Sequence, residues 1–421
     1  MTLSVGVARK IISPSQGIYL IGYGDRTKGN RGVHDDLTAT ALALDDGLSR
    51  AVIVACDLLA INEHTVERIQ VQTGTNVVIC CSHTHSGPIT YADQRSSRKN
   101  QRYVNYLVNQ IIQAVKEAQA NLQPATLKWA QGEANIAINR RERKPDGHIE
   151  IGVNPMGPID RTVIILQAQS LNGKPIVTLV NYQCHGTVLG PKNMVVSADW
   201  IGAMRRNVEH ESGALVMYLQ GATGDLNPDH AWSKDDFKDV EKIGARVAEQ
   251  VMNIIPNLTP IQGEAVRFSE EQVWLPLEAE AHGTTTPPMY RAVLAKMAHI
   301  PRFLVDFVLN YRYPWKTQIT AQDGFWSVPV VLTHIRAGDL ALFALGAEVF
   351  TEIGIAIKRA SNANPTLFAS VSNGCIGYLP TPSEHALGGY EVDMSPYFYR
   401  MPGRLKADSA ERVLKVVKDL V

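Results

Sequence analysis

Short apolar runs alternate along the chain with segments whose apolar residues recur at helical spacing. The runs that predict buried strands are Val52–Cys56, Val77–Cys81, Thr162–Gln167, Ile176–Tyr182, Leu215–Leu219 and Leu340–Leu345. The segments that predict amphipathic helices are Asn62–Gln72, Tyr106–Ala120, Asp236–Ile255 and Glu352–Ala360. This alternation favours the α/β class, and we expect a mixed, largely parallel sheet flanked by helices.

No low-complexity linker and no internal repeat divides the chain, so we expect residues 1–421 to form a single large domain. The segment 284–323 differs from its surroundings, because several prolines flank an aromatic and basic stretch. We expect this segment to be an insertion within the domain. A helical hairpin packed on the core is the favoured interpretation, and a lid is the alternative.

The chain carries 41 basic and 41 acidic side chains, so its formal net charge is zero. It therefore lacks the excess positive charge that non-specific nucleic-acid binding requires, and it lacks a polybasic patch for membrane surfaces. No run of about 18 uncharged apolar residues is present, so we expect no transmembrane helix. The N-terminus lacks the pattern of an export signal, and the five cysteines do not suit a disulfide framework. We therefore expect a cytoplasmic location.

Histidines follow two of the predicted strands directly. His83 and His85 follow the second strand, and a Gly-Pro turn after them can aim the pair into a cleft. His185 follows the fourth strand, and the glycine after it permits a sharp exit of the backbone. Because neutral imidazole is the commonest metal ligand, all three are candidate ligands. The alternatives are surface-loop histidines at 83 and 85 and a hydrogen-bonded core histidine at 185.

Three further segments place polar residues after apolar ones. The loop 221–228 contains Asp225 and Asn227, and its N–H groups could stabilise an oxyanion; a simple Asx turn is the alternative. Glu348 follows the sixth strand, and Tyr378 lies in a loop rich in glycine and proline. A largely parallel sheet would gather these residues at its C-terminal edge, where open α/β sheets bind ligands. Nitrogen and oxygen ligands at such an edge suit zinc with an open coordination position.

Several short segments, taken together and in order, are similar to one known family. They are His83–Pro88, His185–Thr187, Gly224–Pro228, Gly346–Glu348 and Gly377-Tyr378, together with Arg31–Thr40. The set resembles the large N-terminal catalytic domain of the neutral (non-lysosomal) ceramidase family. The resemblance covers roughly residues 5–395, and it implies that residues 1–421 form a ceramidase-like catalytic domain.

The resemblance also implies a chemistry, since the family hydrolyses the amide bond of N-acylated sphingoid bases with one zinc ion. The implied zinc ligands in this chain are His83, His185, Glu348 and Tyr378. The residues that resemble those around the scissile amide are His85, Arg140 and Tyr390. Asp225 or Asp199 could orient a ligating imidazole from behind.

Two features depart from the family. Asn227 stands where the family has a proposed catalytic serine, and an amide can donate a hydrogen bond but cannot accept an acyl group. The chain stops at Val421, so we do not expect the family's C-terminal immunoglobulin-like domain in it. Both departures weaken the inference to ceramide more than the inference to a zinc amidase.

We therefore expect a zinc-dependent hydrolase that cleaves a linear amide, in ceramide or a smaller N-acyl compound, by a metal-activated water. Zinc and one of Arg140, Asn227 or Tyr390 would polarise the carbonyl, and His85 would pass a proton to the leaving amine. A zinc-dependent esterase or lactonase and a binding protein with a degenerate site are the alternatives. The expected partner is a small N-acyl substrate. Apolar residues of 284–323 could contact its acyl chain, although core packing is the favoured interpretation for them.

Overall fold

The computed structural model describes residues 3–24, 26–92, 96–232, 236–280, 318–399 and 401–421. Strands and helices are numbered in chain order within these residues. One long sheet contains β1 Ser4–Ile11, β2 Thr38–Asp45, β3 Arg50–Cys56, β4 Val77–Cys81, β5 Gln123–Glu133, β8 Thr162–Ser170, β9 Pro175–Tyr182, β10 Leu215–Gln220 and β12 Thr259–Pro260. Its strand order is β10-β9-β8-β5-β1-β2-β3-β4, with β12 paired to β5.

The mixed α/β class is confirmed, but the expected predominance of parallel pairing is wrong. Within the described residues, β3–β4 and β9–β10 pair in parallel, and the other neighbours in the long sheet pair antiparallel. Short turns explain two of these antiparallel pairs: residues 46–49 join β2 to β3, and residues 171–174 join β8 to β9. Such turns link antiparallel strands, whereas parallel strands need a longer crossover. The expected strand–helix–strand unit β3–α1–β4, with α1 at Glu63–Thr73, does pair in parallel.

A second sheet packs against the first, and two small sheets carry site residues. The second sheet has the order β13-β15-β16-β18, with β14 on β15. Its strands are β13 Val266–Glu280, β14 Thr320–Gln322, β15 Phe325–Ala337, β16 Leu340–Leu345 and β18 Thr366–Ala369. The small sheets are formed by β6 Ala137–Arg143, β7 Ile149–Asn154 and β11 Leu226–Pro228, and by β17 Glu348–Val349 with β19 Tyr378–Leu379.

Helices cover the outer faces of both sheets. They are α1, α2 Arg98–Ala120, α3 Asp199–Ser212, α4 Phe237–Ile254, α5 Thr351–Ala360, α6 Pro382–Leu387, α7 Ser395–Phe398 and α8 Ser409–Leu420, with a 3-10 turn at Ile255–Asn257 and a π-helix at Tyr390–Met394. α1 and α2 pack on β1–β4, α3 and α4 on β8–β10, and α5 and α8 on the second sheet. The inner faces of the two sheets share one core, so the layers run helix, sheet, sheet, helix.

Side-chain alternation in β2 shows how these layers arise. The alanines of β2 face α2, whereas Leu42 and Leu44 face the second sheet. Small side chains on the helical face let α2 approach closely. At Gly6 of the neighbouring β1, a Cβ would stand 2.0 Å from the carbonyl oxygen of Ala118 in α2. The sequence of these strands therefore sets the distance between helix and sheet.

The long sheet curls so that its two ends approach each other. β10, at one end of the strand order, contacts β3 and β4 at the other. Beyond the ends of β4 and β9, a backbone bridge joins Thr84 to Gly186. A Cβ at Gly186 would stand 3.1 Å from Thr84 Cα, so glycine permits this close approach. The ends of β4 and β9 therefore lie side by side although the strands stand far apart in the sheet order.

The predicted insertion over 284–323 lies outside the described residues up to position 317, and residues 320–322 of it form β14. Among the helices that the structure describes, none combines the length and the apolar character needed to cross a membrane. All five cysteines are buried thiols.

Candidate functional site

The ends of β4 and β9 bring three imidazoles together. His83 and His85 follow β4, His185 follows β9, and one ring nitrogen from each lies within 4.8 Å of the others. The ring centroids of His83 and His185 are 4.9 Å apart, and both side chains are buried. His83 adopts a left-handed backbone conformation with φ of 60°, which is strained for a residue other than glycine. Three imidazoles at this spacing could hold one metal ion.

Backbone carbonyls fix the tautomers of two of these rings. His83 Nδ1 lies 2.7 Å from the carbonyl oxygen of Leu59, and His185 Nδ1 lies 2.8 Å from that of Leu226. A carbonyl oxygen only accepts hydrogen bonds, so each Nδ1 carries the hydrogen and donates it. Each Nε2 therefore presents a lone pair on the opposite side of its ring.

The two Nε2 atoms meet one carboxylate oxygen. Glu348 Oε2 lies 3.1 Å from His83 Nε2 and 3.2 Å from His185 Nε2. Two lone pairs and a carboxylate repel at this distance unless a proton or a cation lies among them. Burial lowers the pKa of His185 to about 4, which disfavours a proton on its Nε2. The donor set therefore fits a bound cation.

The expectation that Asp225 or Asp199 orients a ligating imidazole is wrong. Asp225 accepts hydrogen bonds from the N–H and the hydroxyl of Thr351 at 2.8 and 2.7 Å. Asp199 accepts from the N–H groups of Val188 and Leu189 at 3.1 and 3.0 Å. Burial raises the pKa of each carboxyl to about 6. Both side chains satisfy N–H groups of the loops beside the site, while main-chain carbonyls orient the imidazoles.

Glu348 is held from its other side by a phenol. It lies on β17, opposite Tyr378 on β19. The hydroxyl of Tyr399 donates a hydrogen bond to Glu348 Oε1. Burial acts to raise the pKa of the Glu348 carboxyl, but its interactions with His83 and His185 hold that pKa well below its ordinary value. The carboxylate is therefore ionised, with one oxygen facing the imidazoles and one bound by Tyr399.

Three tyrosines cluster next to this carboxylate. The ring centroid of Tyr378 lies 5.9 Å from that of Tyr390 and 6.3 Å from that of Tyr399. Burial raises the pKa of all three phenols, to about 12 for Tyr390 and well above the ordinary value for the other two. Each phenol therefore keeps its proton near neutral pH and can donate a hydrogen bond.

β6 and β11 bring Arg140 and Asn227 to the same place. Arg140 Nη1 donates to Asn227 Oδ1 at 3.3 Å, and the guanidinium carbon lies 5.3 Å from the centre of the Tyr378 ring. Both side chains are buried. Because a guanidinium has only donors, the oxygen of the Asn227 amide faces it and the amide nitrogen points elsewhere. Asn227 therefore accepts from Arg140 through its oxygen and keeps the N–H groups of its amide as donors.

His85 differs from the other two imidazoles. Both of its ring nitrogens are buried and make no hydrogen bond within the described part of the chain. Gly22 lies against the ring, so close that a Cβ there would stand 2.9 Å from His85 Nδ1, and the Tyr23 ring centroid is 4.9 Å away. Burial lowers the pKa of His85 well below its ordinary value. A neutral ring with two unpartnered nitrogens is available to a metal ion or to a substrate.

The structure brings every predicted site residue into this one region, and it adds others. The predicted residues found there are His83, His85, Arg140, Asn227, His185, Glu348, Tyr378 and Tyr390. Tyr399, Arg141 and Glu391 were missed. The consecutive residues Arg140 and Arg141 lie in one strand, and this pattern is the signal that could have indicated a buried acidic partner such as Glu391. Tyr399 lies in an aromatic segment that gave no local indication of its hydrogen bond to Glu348.

Comparisons with known sequences point to one family. The sequence model described as neutral/alkaline non-lysosomal ceramidase, N-terminal, matches residues 3–242. Neutral ceramidase B of Dictyostelium discoideum is 28% identical over 207 residues, which cover 45% of this chain and 29% of that protein. Neutral ceramidase of Pseudomonas aeruginosa is 25% identical over 466 residues, which cover 90% of this chain and 66% of that protein. The chain thus spans only part of the length of either relative.

Solved structures share the fold. A structure titled ceramidase complexed with C2 aligns with a TM-score of 0.75 at 19% identity, over 100% of this chain and 74% of that chain. The crystal structure of neutral ceramidase from Pseudomonas aeruginosa aligns with a TM-score of 0.74 at 20% identity, over the same shares. Since the family's sequence model also matches more than half of the chain, the protein belongs to the neutral/alkaline non-lysosomal ceramidase family.

Proposed function

We propose that this protein is a zinc-dependent hydrolase that cleaves the amide bond of an N-acyl compound, either ceramide or a smaller molecule of that type. The observation that carries the proposal is the meeting of His83 Nε2, His185 Nε2 and Glu348 Oε2, an arrangement that calls for a cation. Membership of the ceramidase family supports an amide as the bond that is cleaved.

The residues that would hold the ion are His83, His185, Glu348 and Tyr378. Imidazole nitrogens and a carboxylate oxygen are ligands that zinc prefers. The Leu59 and Leu226 carbonyls preorganise the two imidazoles, and the Tyr399 hydroxyl holds the carboxylate. Tyr378 joins the set because it pairs directly with Glu348 across β17 and β19. When bound, such an ion supplies Lewis acidity, which polarises a carbonyl group and makes water nucleophilic near neutral pH.

Three donors would bind the carbonyl oxygen of the substrate as negative charge develops on it. They are the guanidinium of Arg140, the phenol of Tyr390 and the amide nitrogen of Asn227. All three groups are fixed by the fold before the substrate binds, so little reorganisation is needed during the reaction. Loss of one such donor typically raises the barrier by about 3 kcal/mol.

His85 would move the proton that the leaving amine requires. Its ring is neutral, because burial lowers the pKa, and both ring nitrogens lack a partner among the described residues. An imidazole in this state can accept a proton from water and return it to the amine nitrogen. Asn227 cannot form an acyl-enzyme, so its presence supports direct attack by water over a covalent route.

The test is zinc removal and restoration with amide and ester substrates side by side. We expect purified protein to contain one zinc per chain, to lose hydrolysis of N-hexanoylsphingosine on chelation, and to regain it with zinc. His185→Ala should abolish both zinc binding and turnover, whereas His64→Ala, at an exposed position on α1, should change neither.

Full activity in demetallated protein or in His185→Ala would overturn the proposal. Turnover of esters or lactones without amides would support the alternative esterase or lactonase. Retention of the amide without cleavage by zinc-loaded protein would support a binding protein.

A further inference from the structure

Two consecutive arginines of β6 meet one buried carboxylate. Arg140 Nε donates to Glu391 Oε1 at 2.8 Å, and Arg141 Nη1 donates to Glu391 Oε2 at 2.7 Å. The Glu391 side chain is 1% exposed, and those of Arg140 and Arg141 are 5% and 2% exposed. Each oxygen of Glu391 therefore has its own guanidinium, and Arg141 Nε also donates to Glu384, whose side chain is 25% exposed.

The pairing between β6 and β7 is irregular beside these two arginines. Neighbouring residues of a regular strand point to opposite faces of the sheet. Here the register between β6 and β7 shifts between Asn139 and Arg141, and the Arg141 N–H donates to Asn139 Oδ1 at 3.1 Å. Such irregularities bend a strand and redirect its side chains. Two steps along β6, from Asn139 to Arg141, face three steps along β7, from Asn154 to Ile151, so the extra residue lies in β7 and Arg140 stands at the irregularity.

The same arginines hold the segment that carries Tyr390. Arg141 Nη2 donates to the carbonyl oxygen of Gly388 at 2.7 Å. Gly388 and Gly389 both have positive φ, 69° and 95°, and they lead directly into the π-helix that begins at Tyr390. π-Helical turns often mark functional sites. Glu391 and Arg141 therefore fix the start of the π-helix to β6.

Arg140 keeps one donor without a partner. Its Nε is bound to Glu391 and its Nη1 to Asn227, whereas Nη2 is buried and has no hydrogen-bond partner in the described residues. A buried guanidinium hydrogen without an acceptor is unfavourable, so beside the neighbouring Tyr378 phenol this atom is placed to donate to an acceptor that a ligand supplies. Glu391 thus binds Nε of Arg140, and Nη2 of the same guanidinium stays available to a ligand.

We propose that Glu391 is a positioning residue for the amide-hydrolysing site. It ties Arg140 Nη2 and the Tyr390 hydroxyl into one rigid pair of donors for the substrate carbonyl oxygen, and it does not touch the substrate itself. Arg141 completes the unit by neutralising the second oxygen of Glu391 and by anchoring Gly388. This inference rests on the proposed function, because it assigns the two donors to the same reacting oxygen.

Rigid donors matter more for the transition state than for the bound substrate, since a displacement of about 1 Å can cost about 100-fold in rate. Loosening the pair should therefore lower kcat with little effect on KM. A purely structural role would instead lower the folded or metal-loaded fraction and leave the turnover of each loaded molecule unchanged. Kinetics normalised to bound zinc separate the two cases.

The experiment compares Glu391→Gln with wild type and with Glu278→Gln, which removes the same charge from an exposed ion pair with Arg404. For N-hexanoylsphingosine, we expect Glu391→Gln to lower kcat per bound zinc by about 10- to 100-fold, with KM within about threefold and zinc content unchanged. Glu278→Gln should match wild type. In an Arg140→Lys background, the effect of Glu391→Gln on kcat should be smaller than in the wild-type background, because the part that acts through the Arg140 guanidinium is already lost.

Glu391→Asp keeps the charge and withdraws the carboxylate, so it tests the proposal if Glu391→Gln does not fold. We expect it to lower kcat per bound zinc by about 3- to 10-fold. Unchanged kcat per bound zinc in both variants, or an undiminished effect of Glu391→Gln in the Arg140→Lys background, would overturn this proposal while the hydrolase function stands. Wild-type protein that binds zinc but cleaves no amide would instead overturn the proposed function and this inference with it.

Discussion

The two halves of the site are held in place by different means. On one half, His83 and His185 stand at the ends of regular strands and are oriented by main-chain carbonyls. On the other half, Glu348 and the tyrosines lie on very short strands and irregular segments, and Tyr399 orients the carboxylate through its side chain. The imidazole half therefore depends on backbone closure, whereas the carboxylate half depends on side chains that a single substitution can remove.

The largest effect is expected where the two halves meet. Glu348→Gln removes the charge that both imidazoles face, so metal affinity should fall by more than about 100-fold and turnover by about 1,000-fold or more. Zinc titration and steady-state kinetics measure both. Glu352→Gln, at an exposed position in the first turn of α5, is the matched control and should behave as wild type. Full metal affinity in Glu348→Gln would show that the imidazole half alone holds the ion.

A smaller loss is expected from the carboxylate half alone. Tyr399→Phe deletes the hydroxyl that donates to Glu348 Oε1, and loss of such an orienting partner typically costs about 10- to 100-fold in metal affinity or activity. Tyr103→Phe makes the same chemical change at a buried tyrosine that donates to the Ile12 carbonyl oxygen, away from the site. If both variants keep wild-type activity and zinc affinity, the contrast between the two halves fails.

The backbone conformation of the carboxylate half should affect the free energy of unfolding. Gly377 has φ of 101°, and a Cβ there would stand 2.7 Å from Tyr399 Cδ2. Gly377→Ala should lower the free energy of unfolding by about 2–4 kcal/mol, through strain and overlap together. Gly47→Ala, where φ is 87° and no atom lies within 4 Å, should cost only the strain, about 1–2 kcal/mol. Equal costs, measured by denaturant unfolding, would contradict the predicted overlap with Tyr399.

The smallest expected effect is on the pH dependence of stability, and it comes from a histidine outside the site, which serves as a comparison for the three imidazoles. His334 stacks on Phe343 with ring centroids 4.4 Å apart, and burial together with Arg336 lowers its pKa to about 4. The unfolded chain takes up this proton near pH 6.5 but the folded chain does not, so stability should decrease as the pH falls from about 6.5 towards 4. His334→Phe keeps a ring on Phe343 and should flatten this decrease. An unchanged pH dependence in that variant would assign the titration to other groups.

The sequence predicted the imidazole half better than the carboxylate half, for a physical reason. A histidine after an apolar strand is a local pattern, and the structure places all three such imidazoles together. Glu348 and Tyr378 were placed at the same predicted sheet edge by position, but their role as zinc ligands came through the resemblance, because a lone carboxylate or phenol does not by itself indicate a metal site. Tyr399 and Glu391 bind partners 51 and 251 residues away in sequence, so no local pattern could reveal them.

Two errors also have physical causes. Hairpin turns after β2 and β8 make the pairs β2–β3 and β8–β9 antiparallel, although the apolar runs were typical of buried parallel strands. Asp199 and Asp225 accept hydrogen bonds from nearby main-chain N–H groups and do not bind an imidazole. Main-chain donors left unpaired in buried loops would destabilise the fold. The location in the cytoplasm and the insertion over 284–323 stay predictions.

The backbone bridge between Thr84 and Gly186 has a consequence for ion choice. The bridge joins the two ends of the curled sheet. Thr84 directly follows His83 in the sequence, and Gly186 directly follows His185. The spacing of the main chain that carries those two rings is consequently set by backbone contacts. An ion with a larger radius would require these two sheet ends to separate or the ligating side chains to move. We therefore expect selectivity among divalent ions to follow from the way this sheet closes.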